Sequence, residues 1–68
     1  MENIKELTPE QQKTIIKAYI QPTKRLRQVI DRLRATGIPF RVATTYLFVK
    51  HFIGYDDKLM LDRMEEGI

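Results

Sequence analysis

The side chains best placed to do chemistry in this chain are guanidinium groups. Arg25, Arg27, Arg32 and Arg34, with Lys24 ahead of them, crowd a single stretch, and Arg41 follows shortly after. Cations at that density suit a polyanion, because Lys and Arg that neutralise phosphates release condensed counterions. Arg41 is followed by Thr44 and Thr45. An arginine fork suits guanine, and threonine suits a base-edge hydroxyl contact or a thymine methyl. The rest of the inventory is thin. There is no Ser and no Cys, a single His, and the three glycines, Gly37, Gly54 and Gly67, are too far apart to form a phosphate loop. A catalytic site needs a nucleophile, a tuned acid or base, or a metal, so no enzyme, cofactor or small-molecule substrate is expected. His51 reads as a partly exposed helix residue. Asp56, Asp57 and Asp62 are carboxylates that could in principle hold a cation, but helix capping explains the first two more simply.

The formal net charge is +3, unevenly spread. Residues 1–23 are neutral overall, residues 24–41 carry six basic side chains against Asp31, and residues 42–68 carry three basic against five acidic. Such asymmetry speaks about partners rather than fold. The longest apolar-rich run, Val42 to Ile53, is broken by Lys50 and His51 and falls short of the roughly 20 residues that cross a bilayer. The polar start MENIKELTPEQQ is unlike a secretion signal. A cytoplasmic protein without a membrane partner is the expectation.

These cations need rigid elements to hold them. Sixty-eight residues make one domain at most, and so short a chain buries only about 60% of the surface its unfolded form exposes. Without cysteine, stability must come from packed helices or a second copy. Residues 1–7 read as a flexible leader, with Leu7 as first anchor, and residues 8–67 as a single helical domain. Thr8-Pro9-Glu10-Gln11 predicts a helix start with a capping box, and Ile15, Ile16, Tyr19 and Ile20 form its apolar stripe. Pro22 ends this helix or kinks it, and Thr23 can cap the next. There Leu26, Val29, Ile30 and Leu33 fall within an arc of about 100°, with Arg25 and Arg32 on one flank and Arg27 and Arg34 on the other. Asp31 can pair with Arg27 or Arg34. Gly37 is placed for a left-handed helix end.

A third helix from about Pro39 to Ile53 carries two apolar faces, with Phe48 and Phe52 opposite the main one. Gly54-Tyr55 breaks it. Asp56 or Asp57 can cap a fourth helix, closed by Gly67, in which Glu65 and Glu66 oppose the helix dipole. The pattern predicts an all-α fold of four helices, about 9–20, 23–36, 39–53 and 57–66. The expected core is Ile15, Ile16, Tyr19, Leu26, Val29, Ile30, Leu33, Ala43, Tyr46, Leu47 and Leu59.

The segment RLRQVIDRLRAT, then Gly37 and Ile38, then RVATTY, resembles the helix-turn-helix superfamily of DNA-binding proteins over residues 24–50. Leu33, Arg32 and Pro39 suit a tri-helical variant with a looser turn. The resemblance implies a transcriptional or mobile-element regulator, with the basic helix on phosphates and Arg41, Thr44 and Thr45 at the bases. The expected partner is double-stranded DNA, bound by a homodimer joined through the fourth helix and Phe48/Phe52. A second reading is a small inhibitor or adaptor of phage or plasmid type, which binds a host protein with its arginines and with Phe48 and Phe52 as anchors. The blander reading makes the basic helix a solvated face.

Overall fold

Thr8 starts the first element. In the computed structural model, which describes residues 6–20 and 25–67, its hydroxyl accepts from the Gln11 backbone N–H at 3.1 Å. The Gln11 side chain in turn accepts from the Thr8 N–H at 2.9 Å, so both halves of the capping box form. The described residues fold into four helices and no strand: α1 (Pro9–Tyr19), α2 (Leu26–Ala35), α3 (Phe40–Val49) and α4 (Tyr55–Glu66). The Pro22 junction, Thr23, Lys24 and most of the leader lie outside the described residues. Leu7 packs at the edge of the core.

The core is built around α3. Val42, Ala43, Tyr46 and Leu47 are buried there, together with Ile15 of α1, Val29, Ile30 and Leu33 of α2, and Leu61 of α4. Two connecting residues, Ile38 and Ile53, complete it. Ile16 and Tyr19 sit at its margin. Leu26, at the start of α2, and Leu59, both expected inside, are 36% and 37% exposed; α4 turns Leu61 rather than Leu59 inward. The Tyr19 hydroxyl donates to the Phe52 carbonyl, and the Tyr46 hydroxyl donates to Gln12 Oε1, both at 3.3 Å, so α1 is tied to α3 and to the segment that follows it.

Both ends of α3 are set by left-handed residues. Before it, Gly37 takes φ +78°, the helix end expected of it. The Thr36 hydroxyl donates to the Leu33 carbonyl at 2.6 Å and accepts from the Ile38 N–H at 3.2 Å. It thus relays the bond that a Schellman ending makes directly. After α3, His51 takes φ +64°. The His51 N–H donates to the Phe48 carbonyl at 3.0 Å and the Phe52 N–H to the Leu47 carbonyl at 2.9 Å, a complete Schellman motif without glycine. The helix therefore stops at Val49, not at Ile53, and His51 is an exposed helix-ending residue outside the helix. Burial of Ile53 holds the reversed chain in place. Gly54 then caps α4 through its backbone alone, and Asp56 and Asp57 lie in the first turn instead of at the cap.

Helices α3 and α4 run antiparallel, joined by a ladder of side-chain contacts. Arg41 bonds to Glu66. Thr44 donates to Asp62 Oδ1 at 2.8 Å. The rings of Phe48 and Tyr55 lie 5.5 Å apart, a contact distance worth roughly 1 kcal/mol beyond area burial.

Candidate nucleic-acid interface

The arginines of α2 divide between two neighbours. Val29, Ile30 and Leu33 point into the core, which leaves Arg25 and Arg32 on one flank of the helix and Arg27 and Arg34 on the other. Arg32 borders a groove between α1 and α2 that is also lined by Thr14, Lys17, Ala18, Ala35 and Thr36. Arg32 also reaches Gln28 Oε1 at 3.5 Å. Lys13 and Lys17 share the adjoining surface of α1 with Glu10 and Thr14. The cationic surface on this side therefore spans two helices, and two of its members, Lys13 and Lys17, lie outside the central basic stretch. What could have found them is the outward spacing of Lys13 and Lys17, one turn apart on the polar face of α1.

The other flank faces the end of α4. Arg34 Nε lies 3.9 Å from Glu65 Oε2, and Arg41 bonds to Glu66. Both guanidinium groups remain about half exposed, so each pair is open to solvent and salt. Asp31, the expected partner of Arg27 or Arg34, joins no ion pair among the described residues. Arg25 and Arg27 are exposed and likewise unpaired among the described residues. Lys24 lies outside the described residues.

The expected base-reading residues are not brought together. Thr44 is fully buried, with its hydroxyl committed to Asp62, so it cannot reach a base edge. Asp62 is itself 7% exposed and accepts a second bond from Lys58 Nζ at 2.6 Å. Thr45 is half-buried and Arg41 is held by Glu66. Helix α3 is wrapped by the core over most of its circumference and, apart from half-buried Phe40 at its start, presents a narrow strip, Arg41, Thr45, Phe48 and Val49. Phe48 and Phe52 also part company. Phe48 is half-buried against Tyr55, whereas Phe52, beyond the reversal at His51, meets Tyr19 edge-on at 6.2 Å.

Among the described residues no group of His, Cys, Asp or Glu could hold a metal ion, and no helix is long and apolar enough to cross a membrane. Comparison with models of known families, with curated proteins and with solved structures finds no match.

Proposed function

We propose that this chain is a small non-enzymatic binder of double-stranded DNA. It grips the phosphate backbone with the outer surface of α1 and α2 and does not read bases with α3. The observation that carries this reading is the placement of Lys17 and Arg32 on the two sides of the shallow α1–α2 groove, continued by Lys13 on one side and by exposed Arg25 on the other. Backbone contacts position a protein without conveying sequence, so affinity should be nearly the same for any duplex.

The test is a fluorescence-anisotropy titration of random duplex. With about four phosphates neutralised, affinity should fall roughly a hundredfold between about 50 and 200 mM salt. Lys17→Gln with Arg32→Gln keeps most of each stem and should flatten the log–log salt slope by about two. Absence of salt-sensitive binding near 50 mM overturns the reading.

One observation favours a second reading, a protein partner. A cleft of about 110 Å³ opens between α1, α2 and α4, lined by Tyr19, Leu26, Val29, Ile53, Asp57 and Leu61. It would suit an apolar side chain with a cationic tip, because Asp57 is the one charged residue among the described residues of its lining. On that reading Leu26→Ala with Asp57→Asn abolishes the complex and the glutamine pair leaves it intact.

A further inference from the structure

The outward face of α4 carries opposite charges at equal distances from its own centre. Leu61 and Asp62 are buried against the rest of the molecule, so the opposite side of the helix carries Asp56, Leu59, Met60 and Arg63. These four fall within an arc of about 100°. Leu59 and Met60 are 37% and 46% exposed and, with Met64, line a shallow groove between the two charged residues. Asp56 and Arg63 are exposed and join no ion pair among the described residues.

We infer that this face pairs with the same face of a second copy of the chain, the two α4 helices running antiparallel. A two-fold axis passing between Leu59 and Met60 sets Asp56 of each copy opposite Arg63 of the other, and so makes two ion pairs from one. The same axis lays Leu59 against its own counterpart on one side of the seam and Met60 against its counterpart on the other. Both charges lie on the midline of the seam, two helical turns and roughly 10.5 Å apart, with the apolar pair between them. A parallel arrangement would set Asp56 against Asp56 and Arg63 against Arg63, so the charges also select the direction. Methionine adapts its shape to such a seam. One heptad of contact makes a weak dimer, populated by concentration. This inference is independent of DNA binding.

Charge exchange tests it. Sedimentation velocity of the unaltered chain should show a monomer–dimer equilibrium that moves with concentration. Asp56→Arg alone sets Arg against Arg, and Arg63→Asp alone sets Asp against Asp. Each should raise the concentration for half-association at least about tenfold. An equimolar mixture of the two variants should recover association, because every facing pair is again opposite in charge. Asp56 lies in the first turn of α4, where negative charge favours the helix, so Asp56→Arg also weakens the helix somewhat. Recovery in the mixture excludes that as the cause of dissociation. A chain that stays monomeric at about 1 mM (where even ~4 kcal/mol of association would show), single variants that associate as before, or a mixture that stays monomeric each overturns the inference.

Discussion

Asp62 and Glu66 sit one turn apart on α4, and both reach across to α3, yet they are held in different ways. Asp62 is buried and shared between Thr44 and Lys58, with the Lys58 side chain only 15% exposed. Glu66 meets Arg41 where both side chains are more than half exposed. Solvent reaches little of the first site and much of the second, and that alone changes what each charge is worth. A buried carboxylate needs a full set of partners, and its partners need it. An exposed pair is screened by salt and is typically worth 0–1 kcal/mol. The α3–α4 seam is thus fixed from within by Thr44, Asp62 and Lys58, while its outer end is held by a contact that can be exchanged.

The sharpest way to break this comparison is Asp62→Ala. It takes the acceptor from the largely buried Lys58 side chain and leaves the buried Thr44 hydroxyl only the Arg41 carbonyl at 3.2 Å, and should cost about 3 kcal/mol. That is a large part of the stability of so short a domain. Urea denaturation should show a clearly lowered midpoint with little change in slope. A loss below about 1 kcal/mol would mean that the Asp62 charge is not buried as described.

How much of this was readable depended on how local the cause was. The Thr8–Gln11 capping box, the Val29–Ile30–Leu33 stripe and the left-handed Gly37 each depend on residues within a turn of one another, and all three are present. The end of α3 was not readable. Nothing local marks His51 for a left-handed conformation, which only Gly, Asn and Asp adopt at low cost. The reversal is imposed by Ile53, whose burial depends on the other helices. Leu59, Met60, Leu61 and Met64 signal an apolar helix, but which of them turns inward is decided by what α4 packs against. The division of the arginines was hidden for the same reason. Glu65 and Glu66 look like a badly placed acidic end until the fold brings Arg34 and Arg41 beside them.

The end of α3 offers the next largest effect. His51→Gly removes the steric cost of φ +64° and keeps the two Schellman bonds, which are made by backbone atoms. Part of that gain is offset by the greater freedom of glycine in the unfolded chain. The net result should be a stabilisation of about 0.5–1 kcal/mol, seen as a raised thermal midpoint. A destabilised variant would show that the imidazole makes a contribution of its own at this turn.

The smallest effect on stability falls at the exposed end of the comparison, and there it bears on binding. Glu65→Gln with Glu66→Gln removes the carboxylates beside Arg34 and Arg41. It also removes negative charge from the C-terminal end of α4, where the helix dipole disfavours it. Two weak exposed pairs lost and an unfavourable dipole contact relieved should cancel to within about 0.5 kcal/mol. Binding should respond more strongly, because two arginines no longer share their charge with the chain's own acids. If those arginines lie within reach of the phosphates, duplex affinity rises at low salt and the log–log salt slope steepens by about 0.9 for each one recruited. If affinity rises and the slope stays fixed, the glutamates act only as distant like charges on the approaching backbone. If neither moves, any duplex contact is confined to the α1 side of the molecule, and the acidic end of α4 serves the fold.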